Sequence, residues 1–278
     1  DNVSKYDKVE HKIVECLLSD GTEIEFPDYS YFKGVYLFSV EFIENEIFRL
    51  INFTGNFKMD NLKMVGDSAF VISNFSGSLS LPVCEQIVDS AFLYSIFSGS
   101  LSLPVCTYVG STALYCSNFS GSLSLPVCEQ IGYGAFVSSN FSGSLNLPMC
   151  TYIGVYAFYN SNFSGSLNLP VCEFIGGGAF YASNFSGSLS LPVCTFIGTD
   201  AFQFSNFSGS LSLPVCVEIG IKAFKNSNFT QITIGANATL GDNCIGAHST
   251  EFIQDYADKG KLAGTYVWDE VDQHWIYQ

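Results

Sequence analysis

Seven cysteines, at 84, 106, 128, 150, 172, 194 and 216, are each separated by 22 residues. Thiols at a fixed spacing have three chemistries open to them: disulfide formation, metal ligation, or inert burial as small hydrophobes. If the period is structural, they stack in a column with a step of about 4.8 Å, the distance between adjacent strands. A separation of about 5 Å between Cα atoms does not forbid a bridge. Seven in file cannot all pair, however, and side chains stacked in parallel lack the Cβ approach a bridge needs. A linear file makes no tetrahedral cluster, and no CxxC occurs. A ladder of reduced, buried thiols is therefore favoured, and free thiols outside a cell would suit an anaerobic habitat. Cys16, Cys116 and Cys244 stand apart from the column and are expected to form no bridge.

Other columns share the spacing. Asn52, Asn74, Asn118, Asn140, Asn162, Asn184, Asn206, Asn228 and Asn237 each begin Asn-x-Ser/Thr. In a eukaryotic secretory protein these would be glycan acceptors. The favoured alternative is a repeat corner, with each Asn side chain bonded to backbone and the following Phe buried. Glycans one rung apart would collide. The residue after each column cysteine reads Glu85, Thr107, Glu129, Thr151, Glu173, Thr195, Val217. Carboxylates on every rung would repel, and alternation moves them apart to about a Debye length. One carboxylate every ~10 Å is a poor Ca²⁺ site. His11, His248 and His274 lie only near the ends, away from the thiols. No G-x-S-x-G elbow, P-loop, H-E-x-x-H or dinucleotide fingerprint occurs, and serines without a paired base are not nucleophiles. No enzymatic activity is expected, and no catalytic residue, metal ligand or cofactor is assigned.

The elements that must position these columns follow from the same period. Pro recurs at 82, 104, 126, 148, 170, 192 and 214. The unit Asn118–Ser139 reads NFSGSLSLPVCEQIGYGAFVSS, and weaker copies continue on both sides, for about nine or ten rungs. Ser-Leu-Ser-Leu at 78–81 alternates with period two, so it is a short strand with its Leu side chains inside. The Pro after it ends the strand. Cys84 and Ile87 then point inward along a turn, and Ala91-Phe92 form a second buried pair on a short helical turn or irregular arc. Gly77 and the Gly after the Ile (110, 132, 154, 176, 198, 220) mark tight corners. No single unit can bury this apolar set, so the units must stack into one continuous core. The fold class is a repeat solenoid, mainly β.

Leu123, Leu125, Pro126, Cys128, Ile131, Gly132, Ala135 and Phe136 spell L-x-L-P-x-(L/C)-x-x-I-G-x-x-A-F. This pattern resembles the BspA-type (Treponema pallidum-type) leucine-rich repeat, over roughly residues 30–235. Two departures stand out: Cys replaces the commoner Leu after the Pro, and the copies are nearly identical. The resemblance implies a leucine-rich-repeat right-handed β/α superhelix with one parallel sheet, capped at both ends. It also implies a surface protein of oral or gut bacteria, or of a parasitic protist, acting in adhesion to host matrix proteins or other bacteria. No catalytic residues belong to the repeat.

The ends differ from the middle. Asp20-Gly21 between β-rich runs signals a hairpin, so residues 1–30 read as an N-terminal cap and 31–235 as the solenoid. Residues 236–278 read as a C-terminal cap. A helix over 249–261 would have Ser249 or Thr250 as N-cap and Gly260 as its stop. A hairpin turning at Glu270–Gln273 would set Trp268 opposite Trp275 and Tyr266 opposite Tyr277. These aromatics either seal the last rung or offer a contact patch.

Net charge is −15, and no basic residue lies between Lys63 and Lys222. That excludes nucleic acid, whose phosphates demand clustered Lys and Arg. No run is long enough for a membrane helix, so no membrane insertion by this segment is expected, although an anchor outside it is compatible. No signal peptide opens the sequence, and Asp1 is read as the start of a trimmed segment. The serines and asparagines of the strands tile one polar face, which is either a binding face or an inert solubilising one. Variable aromatics are the candidate ligand-binding residues: Tyr94, Tyr108, Tyr133, Tyr152, Tyr156, Tyr159, Tyr181, Phe204, Trp268 and Trp275. The expected function is an adhesin-like, monomeric, cell-surface or secreted protein that binds a protein or glycan. The alternative is a structural spacer or display stalk with no ligand site in its repeats.

Overall fold

The computed structural model describes residues 41–46, 48–50, 53–73 and 75–278, with the backbone alone at Ser4–Asp7, Lys12–Leu17, Glu23–Ile24 and Phe32–Tyr36. One rung traces the rest. Strand Asn118–Ser124 turns Phe119 and Leu123 inward and Asn118, Ser120, Ser122 and Ser124 outward, as its alternation predicts. Pro126 ends it, and Cys128 is buried at the turn that follows. A two-residue strand, Gln130–Ile131, comes next, and an arc closes the rung.

The two-residue strands build a parallel sheet of ten, from Phe42–Ile43 to Thr239–Leu240. The sequence reading put this stretch in a turn. Two residues are too short to show a period, yet each finds its own equivalent on both sides: Ile131 pairs with Val109 and with Ile153. The Ser-Leu-Ser column is parallel as well, but it is divided among sheets of three, two, two and five strands. Strands therefore line two sides of each rung rather than one.

The divisions follow a bulge. Gly99, Gly143 and Gly187 have φ of +82°, +80° and +80°, and pairing shifts register beside each of them. These three rungs are the ones carrying Thr107, Thr151 and Thr195. The Glu rungs between them have Gly121 and Gly165, which lack a positive φ. The Glu/Thr alternation is thus also an alternation of backbone. Thr151 Oγ1 donates to the Glu129 carbonyl at 3.2 Å, tying each Thr rung to the Glu rung before it.

The arcs are irregular rather than helical. Alternate residues donate to the next rung (Gly134 N to Val155 O, 2.9 Å; Phe136 N to Ala157 O, 2.8 Å), while those between donate back within the arc (Ser139 N to Phe136 O, 3.2 Å). Two positions per arc are left-handed, such as Tyr156 and Asn160 with φ of 57° and 59°. That interrupts any α-helical run.

The glycine after each Ile has a different reason from the corner the sequence suggested. A Cβ on Gly154 would lie 2.6 Å from the Gly132 carbonyl carbon, and one on Gly132 would lie 2.6 Å from Ser111 N. These glycines let successive rungs approach, and none of them has a positive φ.

Inside, two files of phenylalanine run along the stack. Phe136, Phe158 and Phe180 lie face to face at 5.2 Å, and Phe158 meets the second file edge-on at Phe163, 5.8 Å away. The thiol column and the Leu and Ile files complete one continuous core.

At the N-terminal end, Ser4–Asp7, Lys12–Leu17 and Glu23–Ile24 form an antiparallel sheet. The Asp20-Gly21 turn and His11 lie outside the described residues. At the other end, helix α1 spans Ser249–Asp258. Its N-cap is His248, in the left-handed region and without a side-chain cap, rather than Ser249 or Thr250. Ser249 is buried instead, and its hydroxyl accepts from Ile245 N at 3.3 Å. Gly260, φ 72°, follows the helix. The final hairpin pairs Trp268 with Trp275 and Tyr266 with Tyr277, the register expected from its turn. Strand Gly264–Asp269 also pairs with Asn228–Ile234 of the last rung.

Candidate functional site

In a repeat of near-identical units, a local site must be made of the residues that differ. The invariant columns are accounted for by the core. The column thiols are buried and free, and each donates to a nearby carbonyl, as Cys150 Sγ does to Tyr152 O at 3.3 Å. Burial pushes the Cys150 thiol up to about 12, so it stays protonated and is neither nucleophile nor ligand at neutral pH. Among the described residues, no group of three or more His, Cys, Asp or Glu is placed to hold a metal ion. Three corner asparagines ladder to each other: Asn140 Nδ2 donates to Asn118 Oδ1, and Asn162 Nδ2 to Asn140 Oδ1, both at 3.1 Å. The Phe after each, Phe119 or Phe141, is fully buried.

The candidate aromatics separate into three groups. Trp268 and Trp275 are buried in the C-terminal cap, not on its surface. The Trp275 indole donates to the His248 carbonyl at 3.2 Å, and the His248 ring stacks on Trp268 at 3.8 Å. These tryptophans face inward because their hairpin packs onto helix α1, where Phe252 meets the Trp275 ring edge-on at 5.3 Å. Tyr108 and Tyr152 lie on the outer side of the ten-stranded sheet. There Tyr152 begins a stack with Phe174 and Phe196, at 4.9 and 4.8 Å, two residues the sequence reading did not single out.

Tyr133, Tyr156, Tyr159, Tyr181 and Phe204 come together on the arcs. Tyr133 meets Tyr156 at 6.0 Å and Tyr156 meets Tyr159 at 5.5 Å. Tyr159 stacks on Tyr181 at 4.9 Å, and Tyr181 meets Phe204 edge-on at 5.2 Å. Tyr94 pairs with Tyr115 at 5.8 Å, and Tyr115 is a further member absent from the sequence list. Its signal was its place in the Tyr159–Tyr181 column. Tyr133, Tyr156 and Phe204 stay 52%, 43% and 44% exposed.

Local sequence explains the shape of this strip. In the column that holds Tyr156, the rungs on either side carry Gly134 and Gly178. The Tyr156 ring occupies the space over Gly178, where a Cβ would lie 2.5 Å from its Cε1. A hollow lies on each side of the ring. One, of about 250 Å³, is lined by Tyr115, Tyr133, Val137, Tyr156 and Tyr159. The other, of about 300 Å³, is lined by Tyr156, Tyr159, Gly177, Gly178, Tyr181, Thr199 and Asp200. Partial burial raises the Tyr181 hydroxyl above its ordinary value, with the neighbouring Tyr159 and Asp200 adding to the effect. Exposed rings beside small hollows suit stacking on a flat ligand group and hydrogen bonding through phenol hydroxyls.

The model of the BspA type leucine rich repeat region matches residues 41–164 and 129–250, in six copies. The chain belongs to the BspA-type leucine-rich repeat family. The match spans both hollows and all the arc tyrosines. No curated protein matches the chain. Proteins built from BspA-type repeats are typically surface-associated, and the repeat is a scaffold without catalytic machinery of its own. Among the described residues, no helix is long and apolar enough to cross a membrane.

Proposed function

We propose that this BspA-type chain is a cell-surface or extracellular binding protein, adhesin-like in action, that recognises a protein or glycan through the tyrosine strip of its arcs. One observation carries the reading: Tyr133, Tyr156, Tyr159, Tyr181 and Phe204 gather on the arcs, in mutual contact, beside two hollows. A mere spacer has no use for exposed rings, whereas aromatic anchors dominate binding surfaces. In the same reading, residues 1–30 and 236–278 cap the solenoid at 31–235, and the chain acts as a monomer.

The test is a screen of the intact chain against arrayed glycans and immobilised host-matrix proteins, repeated with a Tyr156→Ala/Tyr159→Ala double variant. The expected result is a ligand whose affinity falls at least about tenfold in the variant, since aromatic anchors contribute about 2 kcal/mol or more. A blank in both libraries, from a folded monomeric chain, would leave the spacer reading in its place.

A further inference from the structure

The rung at residues 172–193 breaks the repeat in its own way, with three successive glycines at 176–178. Gly177 and Gly178 add no side chain to their arc, and the hollow of about 300 Å³ lies there. Tyr156 bounds it from the preceding rung, and Thr199 and Asp200 bound it from the next. Tyr159 and Tyr181, stacked at 4.9 Å, form one wall, and the Tyr156 ring stands at 88° to Tyr159.

Asp200 is the one acid in the hollow. Among the described residues, its Oδ1 has no hydrogen-bond partner. Among the described residues no cation pairs with it. No Lys, Arg or His lies between Lys63 and Lys222. Lys222, which holds the same arc position one rung on, makes no ion pair with Asp200. Aromatic faces attract cations through their quadrupole, and a carboxylate beside them adds direct charge attraction.

We infer that the hollow between Tyr156 and Asp200 receives a cationic side chain, a lysine or arginine presented by a protein ligand. The inference rests on the strip being the binding surface. It goes further by fixing the chemistry of what one subsite takes. The cation lies against the Tyr159–Tyr181 wall and donates to the Asp200 carboxylate. The net charge of −15 draws such a ligand in from solution, more weakly as salt screens it. Gly178 is part of the device, because a side chain there would displace the Tyr156 ring.

The test titrates the intact chain with hexa-arginine, hexa-lysine and the neutral sugar cellohexaose, following the ring resonances of Tyr156, Tyr159 and Tyr181 by NMR. Both peptides are expected to shift these resonances saturably, and cellohexaose is not. Asp200→Asn should weaken peptide binding about tenfold, the effect of ~1.4 kcal/mol. Glu173→Gln removes the same charge beside strand Phe174–Ile175 of the ten-stranded sheet and should leave binding within about twofold. Gly178→Ala should weaken binding while circular dichroism still reports a folded chain, because the Tyr156 ring must give way to the new Cβ and the φ of +58° adds only a local backbone cost. Lys222→Gln removes a competing cation and should not weaken it.

Equal losses in the Asp200 and Glu173 variants would reduce the effect to overall charge and overturn the inference. Cellohexaose moving these rings while both peptides do not would also overturn it, and would leave the strip as a binding surface. If no peptide, sugar or matrix protein reaches the rings, the inference fails together with the reading beneath it.

Discussion

Phe158 and Tyr159 are neighbours in sequence and belong to parallel ring stacks. Phe158 lies 5.2 Å from Phe180 in the core, and Tyr159 lies 4.9 Å from Tyr181 on the arc. The period makes both stacks and does not distinguish them. The side of the backbone does. The inner stack repeats on rung after rung, because every rung must fill the same space. The outer stack lasts two rungs and is flanked by Val137 and Gln203, because nothing outside the core demands a ring. The same division separates the thiols: the column cysteines are fully enclosed, whereas Cys116 sits part-exposed on its arc beside Tyr115.

The largest expected effect separates these two sets of thiols. Burial lifts Cys84, Cys150 and Cys194 from 9.0 to about 12, and Cys106 and Cys216 to about 11. For an acid held protonated by burial, stability is intact below the unfolded value. It falls as pH rises past 9.0 towards the folded value, because only the unfolded chain then loses its protons. Each column thiol should cost on the order of 1 kcal/mol by pH 10, and the contributions of the file accumulate. The denaturant midpoint, constant between pH 6 and 8, should collapse between pH 9 and 11. Replacing Cys116 with Ser should leave that collapse unchanged, whereas Cys128→Ala and Cys150→Ala together should lessen it in proportion to the thiols removed. A midpoint insensitive to pH up to 11 would break the distinction between buried and arc thiols.

Next in size is Phe158→Ala. It opens a cavity bounded by Phe136, Phe163 and Phe180 and should cost about 3–5 kcal/mol in urea unfolding. Smaller again is a contrast between glycines. Gly154→Ala drives a Cβ to within 2.6 Å of the Gly132 carbonyl carbon, so two rungs must separate, at about 1–3 kcal/mol. Gly143→Ala meets nothing within 4 Å and has only its φ of +80° to accommodate, at about 1 kcal/mol. Equal costs would mean that the post-Ile glycines serve the bend after all.

Much of this was legible before any coordinates. The Leu, Cys, Ile and Phe positions had to face inward, since no rung could bury them alone, and the Trp268–Trp275 register followed from the turn. The Gln130–Ile131 strand was illegible, because two residues carry no alternation and its partners lie 22 positions away on each side. The path of the arcs was left open between a helical turn and an irregular one for a related reason. Tyr156 adopts left-handed backbone that its residue type does not advertise, held there by a hydrogen bond to the next rung. Of the candidate site, the ring inventory was readable and the grouping was not. Tyr108 and Tyr152 share the repeat with Tyr156 and Tyr159, yet they emerge on a different side of the rung. One hollow depends on Gly177 and Gly178, whose importance appears only when the columns are aligned in space.

The smallest effect on stability should come from Tyr159→Ala, and it is the sharpest use of the Phe158 comparison. Tyr159 is half-buried, and its loss removes one stacked and one edge-on contact, each near the low end of about 0.5–1.5 kcal/mol because these rings stay in contact with water. Its ring nevertheless lines both hollows. Stability should therefore barely move while binding of any strip ligand falls at least about tenfold, through the loss of a shared wall. Phe158→Ala should act in the opposite sense, lowering the unfolding midpoint strongly. In the folded fraction it should touch binding only through the displacement of its neighbour. Measured side by side by urea unfolding and by titration at saturating folded fraction, the two variants test whether one stack serves the core and the other the surface. If Tyr159→Ala cost as much stability as Phe158→Ala, the outer rings would be packing, and the strip would lose its claim to function.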